Sequence, residues 1–179
     1  MKRHILLVGL PGSGKTTIAR RAIELLRGRG IRVWGFWTGE IREAGIRRGF
    51  DIESLSGFRS VMAHVDLRQR PTVSKYGVDV AAVDTVAVAE INRAVSEGQR
   101  GVVLVMDEIG KMELMSPAFR AAVMAAMDSE LRILATAMSK PHPFVDRVKG
   151  RPDVEVITVT RANRDSLPGT IAASLAGNG

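Results

Sequence analysis

The sequence predicts an α/β fold, a mostly parallel sheet flanked by helices with a β-hairpin insertion. Three observations lead there. Ile5–Val8 is a short, unbroken apolar run closed by Gly9. Behind it, Thr17–Leu26 repeats apolar residues at Ile18, Ala22, Leu25 and Leu26, a helical stripe. Val102–Met106 is a second fully apolar run, and Leu131–Ala137 and Val154–Val159 read as two more strands, alternating with helical segments in the same way. Unbroken runs suit strands covered on both faces, and strand–helix alternation makes such strands parallel neighbours. Third, Ile31–Ile41 and Ile46–Leu55 are β-rich and separated only by Arg42-Glu43-Ala44-Gly45, which reads as a hairpin.

In chain order, the first helix is stopped by Gly28 and Gly30, and Arg59–Val65 reads as one more strand after the hairpin. Asp84 is expected to cap a helix through about Ser96, stopped by Gly98. Ser116-Pro117 pairs an N-cap with proline at the first helical position, where a missing N–H costs nothing; that helix runs to about Met127. A last helix follows Asn163 and ends near Ala176. No repeat, low-complexity tract or linker interrupts the chain, so residues 1–179 read as a single domain.

Composition narrows the chemistry. The chain has no cysteine, which excludes disulfides, thiolate catalysis and Cys-based zinc sites. Its three histidines, His4, His64 and His142, lie too far apart for a zinc-hydrolase motif. Lys plus Arg number 26 against 19 Asp plus Glu, a net charge of +7. Such a balance opens the class of polyanionic partners. Aromatic residues are only 4% and do not interleave with basic ones, so binding to nucleic acid gains no support beyond the charge. The N-terminal Met1-Lys2-Arg3 and Ile5–Val8 imitate a signal peptide, but the apolar run breaks at Gly9 and Lys15 follows. No stretch approaches the 18 or so apolar residues of a membrane span. A cytoplasmic monomer without a membrane partner is expected.

The chemistry concentrates in two places. Gly9-Leu10-Pro11-Gly12-Ser13-Gly14-Lys15-Thr16 matches G-x-x-x-x-G-K-[ST], between a strand and a helix as the P-loop pattern requires. Glycines let backbone N–H groups turn around phosphate oxygens, and the helix N-terminus adds its positive end. Lys15 is expected on the β- and γ-phosphates and the Thr16 hydroxyl on Mg²⁺. Downstream, Val102–Met106 leads into Asp107-Glu108, acids at the end of a buried strand in the Walker B arrangement. Asp107 is expected to hold the Mg²⁺, with Glu108 polarising a water for in-line attack on the γ-phosphate. Asp107-Glu108-Ile109-Gly110 also fits D-x-x-G of regulatory GTPases. No guanine-reading N-K-x-D appears, and Asn163-Arg164-Asp165 lacks its spacing.

Taken together and in this order, the P-loop, Gly49-Phe50, Tyr76-Gly77-Val78, Asp107-Glu108-Ile109-Gly110-Lys111-Met112-Glu113-Leu114 and Asn163-Arg164-Asp165 resemble the thermophilic nucleoside-triphosphatase family. Its vertebrate members are the cancer-related nucleoside triphosphatases, and the resemblance covers essentially the whole chain. It implies a RecA-like P-loop NTPase fold and slow, Mg²⁺-dependent hydrolysis of ATP, GTP, CTP and UTP to diphosphate and phosphate. The nucleotide-binding set is then Gly9, Leu10, Pro11, Gly12, Ser13, Gly14, Lys15, Thr16, Thr17, Asp107, Glu108, Ile109, Gly110, Asn163 and Arg164. Glu108 and Lys15 are the catalytic pair, and Thr16 and Asp107 the metal ligands. A nucleotide or small-molecule kinase, and an ATPase stimulated by nucleic acid, stand as alternatives.

For several residues two readings stay open. Lys111 is either near the γ-phosphate or a solvated loop lysine; Thr136 and Ser139 are either γ-phosphate sensors or plain strand-end hydroxyls. Arg147, Lys149 and Arg151, between Pro141 and Pro152, form either a lid over the phosphates or an exposed basic loop. Asn163 either borders the base, with Arg164 stacked on it, or caps a helix. Trp34 and Trp37 read as packing residues.

Overall fold

The apolar runs Ile5–Val8 and Val102–Met106 become strands, and their alternate side chains serve opposite faces of one sheet. The structure is a computed structural model and describes residues 2–68, 71–97 and 101–177. The first half contains β1 (His4–Gly9), α1 (Lys15–Gly28), β2 (Arg32–Glu43), β3 (Ile46–Ser54), β4 (Arg59–His64), β5 (Thr72–Val73), β6 (Tyr76–Val78), α2 (Val80–Val83) and α3 (Ala89–Glu97). The second contains β7 (Val102–Ile109), α4 (Pro117–Asp128), β8 (Arg132–Met138), α5 (Pro143–Lys149), β9 (Val154–Thr158) and α6 (Leu167–Ala176).

These described strands form one sheet in the order β5-β6-β4-β3-β2-β7-β8-β1-β9. β2, β7, β8, β1 and β9 run parallel. β3, β4, β6 and β5 continue the sheet antiparallel. In β1, Leu6 and Val8 enter the core beneath α3, α4 and α5, while Ile5 and Leu7 enter the core beneath α1 and α6. In β7, Leu104 and Met106 serve the first face, Val103 and Val105 the second. Two-sided burial is the reason neither run shows alternation. Burying each of these side chains contributes roughly 1.5–3 kcal/mol. Gly35 lets β2 lie against β7: its φ is +130°, and a Cβ there would sit 1.9 Å from the Val105 carbonyl oxygen.

Two expectations need correcting. Asp84 does not open a helix. Asp79 does, accepting from the Ala81 and Ala82 N–H groups, and Asp84 begins a π-helical turn, Asp84–Val88, where it accepts the Ser116 hydroxyl. The nearer cap won because Asp79 is extended, the conformation an N-cap needs. The Gly98 stop lies outside the described residues. The Pro141–Pro152 segment is no open loop but contains α5, capped by His142, whose Nδ1 accepts from Phe144 N–H. Ser116 caps α4 as expected, its Oγ 2.9 Å from the Phe119 nitrogen. Among the described residues no helix is long and apolar enough to cross a membrane.

Candidate active site

The loop from Gly9 to Lys15 joins the C-terminal end of β1 to α1, where backbone N–H groups at the helix start lack intrahelical partners. Gly12 and Gly14 adopt positive φ, +76° and +100°, which lets the loop curl ahead of that helix end. Lys15 is 8% exposed, and its Nζ donates to the carbonyls of Gly9 (3.1 Å) and Leu10 (3.5 Å). The ammonium therefore lies across the loop it belongs to. Leu10 points its side chain to solvent, whereas Ser13 buries a hydroxyl that has no partner among the described residues.

β7 delivers the two acids. Asp107 is 2% exposed; the Thr136 hydroxyl donates to its Oδ1 at 2.5 Å, while Oδ2 is buried with no partner among the described residues. Burial pushes the Asp107 carboxyl above its ordinary range, against the hydroxyls of Thr136 and Thr16 and the charge of Lys15. Burial likewise raises Glu108, opposed by Lys15 and reinforced by Asp107. Thr136 is thus a partner of Asp107, while Ser139 is exposed. Ile109 turns its side chain fully into the core.

Glu113 was visible only as part of the resemblance, yet it is buried and accepts the Gly110 N–H at 3.1 Å. Burial raises its carboxyl to about 8, with Glu108 and Asp107 adding to the rise. A carboxyl raised this far binds a proton in the folded chain that the unfolded chain has released above its ordinary range near 4.5. Stability is therefore expected to fall as pH rises from about 5 to 8, by up to about 1.4 kcal/mol per pH unit. Glu113→Gln keeps an acceptor for Gly110 and removes the titration, so its melting temperature should fall less over that window. Parallel curves for the two proteins would show that Glu113 does not carry the slope.

A cleft of about 490 Å³ brings these parts together, lined by Gly12, Gly14, Lys15, Thr16, Thr17 and Glu108 on one side. Thr38, Glu40, Arg47 and Phe50 of the β2–β3 hairpin line the other. Sequence reasoning assigned none of the hairpin residues to the site; the one signal was Gly49-Phe50, beside an Arg-rich turn. Lys111 lines a smaller recess of about 200 Å³ that also touches Glu108 and Gly110.

Other expected residues go elsewhere. Arg151 pairs with Asp153 and Asp128, and Asp153 precedes β9 beside His4, at the strand ends opposite the loop. Lys149 is held by Asp146, and Arg147 is exposed on α5. The chain reverses through α5 after β8, so the basic segment is carried away from the phosphate loop instead of closing over it. Asn163 spends its amide on its own loop, accepting from Thr160 N–H and donating to the Thr158 carbonyl, so it does not cap α6, and it does not line the cleft. Arg164 does approach the loop, around a recess of about 360 Å³ shared with Gly12, Gly14, Thr17 and Arg21. Trp34 and Trp37 pack against the core, Trp37 beneath the Arg20 guanidinium at 4.5 Å.

A sequence profile of the family described as NTPase matches residues 4–172. The chain belongs to the NTPase family. Among NTPase relatives, the nucleoside-triphosphatase THEP1 of Thermofilum pendens is 44% identical, covering 97% of this chain and 96% of its own. The human cancer-related nucleoside-triphosphatase is 38% identical, covering 93% of each chain. The crystal structure of THEP1 from the hyperthermophile Aquifex aeolicus superposes with a TM-score of 0.87 at 34% identity, over 98% of this chain and 99% of that one. The α/β architecture of this NTPase, with its mixed sheet and flanking helices, is therefore the family's own.

Proposed function

We propose that this chain hydrolyses nucleoside 5′-triphosphates, ATP, GTP, CTP and UTP, to the diphosphate and phosphate, as a cytoplasmic monomer. The observation that carries the reading is the single cleft shared by the Gly12–Thr17 loop and Glu108, with Asp107 buried directly behind. The relatives, nucleoside-triphosphatases by name, point the same way.

Each residue has a derivable task. The N–H groups before and within the first turn of α1 bind the β- and γ-phosphates, with Lys15 giving up its loop carbonyls for phosphate oxygens. The unpartnered Asp107 Oδ2 and the neighbouring Thr16 hydroxyl suit a hard cation, and Asp107 ionises once positive charge arrives. Mg²⁺ bound by Thr16 and Asp107 would neutralise charge on the phosphates. Among the described residues no cluster of three or more acidic, His or Cys side chains is built to hold a metal alone, in keeping with an ion whose remaining ligands are phosphate and water. Glu108 takes a proton from the attacking water as its oxygen bonds to the γ-phosphorus and the bond to the bridging oxygen breaks. Its raised pKa makes it a better base than an ordinary carboxylate.

The recess beside Glu108, lined by Thr38, Phe50, Met62, Lys111 and Met112, supports a second reading, phosphoryl transfer to a small hydroxyl-bearing acceptor. Phosphate release from the four ribonucleotides with Mg²⁺, alone and with an acceptor panel and RNA, separates the readings. Release from all four, unchanged by additives, is expected. A phosphorylated acceptor would favour transfer; no release under any condition would end the hydrolytic reading.

A further inference from the structure

The hydrolytic reading leaves the hairpin wall without a task, and Phe50 and Tyr76 without a reason to stand where they do. Both questions meet at Arg47. We infer that Arg47 is a catalytic residue of this site, its guanidinium exchanging Glu40 for an oxygen of the terminal phosphate and stabilising the charge that develops there. This rests on the hydrolytic reading and names a residue that reading does not contain.

Position comes first. β2 pairs with β7 up to Trp37 opposite Asp107, so Thr38–Glu43 runs on past the sheet edge on which the acids sit. β3 returns along it, with Arg47 opposite Arg42 and Phe50 opposite Glu40. Arg47 thereby lines the same cleft as Gly12, Lys15, Thr16 and Glu108.

Its aim is set from behind. The Arg47 guanidinium lies over the Phe50 ring at 5.2 Å, and its Nε donates to the Tyr76 hydroxyl at 3.2 Å. Phe50 and Tyr76 brace each other edge to face, 5.3 Å apart at 77°. An arginine held along its stem and at Nε leaves the outer fork to meet a planar oxyanion.

The charges are arranged for exchange. Glu40 Oε2 receives Nε and Nη2 of Arg42, and Oε1 receives Nη1 of Arg47 at 2.8 Å. Arg42 is tied to the turn as well, through the Gly45 carbonyl. When Arg47 leaves Oε1, Glu40 remains neutralised by Arg42, so no bare carboxylate faces the triphosphate. The Arg47–Glu40 pair is well exposed, 44% and 38%, and exposed pairs hold weakly. Two other candidate guanidiniums are worse placed: Arg164 borders a recess that contains neither Lys15 nor Glu108, and Arg151 lies at the opposite sheet edge.

The test compares wild type, Arg47→Ala and, as a control outside the cleft lining, Arg93→Ala, whose guanidinium pairs with Glu97 on α3. It measures phosphate release and affinity for ADP with and without aluminium fluoride, a planar phosphoryl mimic. Arg47→Ala should lower kcat by roughly 10²-fold or more, below the full range for an arginine finger because Lys15 remains. It should also weaken ADP–aluminium fluoride far more than ADP, while Arg93→Ala stays within about threefold of wild type. Circular dichroism establishes that both variants fold. The inference is overturned if Arg47→Ala hydrolyses like wild type, if it weakens ADP alone as much as the mimic, or if Arg93→Ala falls as far. Wild type releasing no phosphate would instead sink the hydrolytic reading, and Arg47's role with it.

Discussion

Glu108→Gln is expected to bind ATP within a fewfold of wild type and to release phosphate roughly 10²- to 10⁴-fold more slowly, the range general-base catalysis supplies. Glutamine matches glutamate in shape, so the cleft should keep its form and Lys15 its reach across the Gly9 carbonyl. What disappears is an acceptor for the water's proton. The nucleotide-binding side is also relieved of a negative charge, so ATP affinity should rise slightly if it moves at all. Equilibrium binding and single-turnover phosphate release together make the measurement. A variant that hydrolyses at the wild-type rate removes Glu108 from the mechanism, and one that no longer binds ATP makes it a binding residue instead.

Lys15→Ala should fail in both respects. Each hydrogen bond between a charged donor and phosphate contributes about 1.5–3 kcal/mol, so ATP binding should weaken roughly 10- to 150-fold. Turnover should fall as well, because charge builds on the phosphate oxygens that Lys15 is placed to reach. The variant also deprives the Gly9 carbonyl of its ammonium partner, a local loss at the end of β1, while the two cores remain untouched. Thermal unfolding near that of wild type, with weak binding and slow release, is the expected combination. Wild-type affinity would show that the loop holds nucleotide by its backbone alone.

These two residues were legible in the chain because their signal is local. Glycines, Lys15 and Thr16 must occupy consecutive positions between one strand and one helix, and Asp107-Glu108 must end an apolar run. Glu113 was less so: its spacing from Asp107 was plain, but its buried contact with the Gly110 N–H depends on how a short 3₁₀ turn, Glu113–Met115, folds back. The choice between lid and basic loop at Arg147, Lys149 and Arg151 was open for a similar reason. Nothing in the order Pro141–Pro152 says that α5 carries Arg151 to Asp128 and Asp153, partners distant from the phosphate loop. Asn163 matched a cap signal, but its amide closes a loop after β9 instead.

By itself, the sequence determined the fold class, the phosphate loop, the pair of acids and the existence of the hairpin. Each is written in the hydrophobic period or the residue order of a single short segment, where backbone geometry leaves few alternatives. Tertiary structure alone decided what faces the phosphate loop. The wall built from Glu40, Arg47 and Phe50 exists because β2 pairs with β7, distant in the chain, and overruns it, and because Tyr76, contributed by a strand further on, meets Arg47 and Phe50 from behind. The physical reason is that such contacts are selected by packing between segments far apart in the chain, and no local period records them.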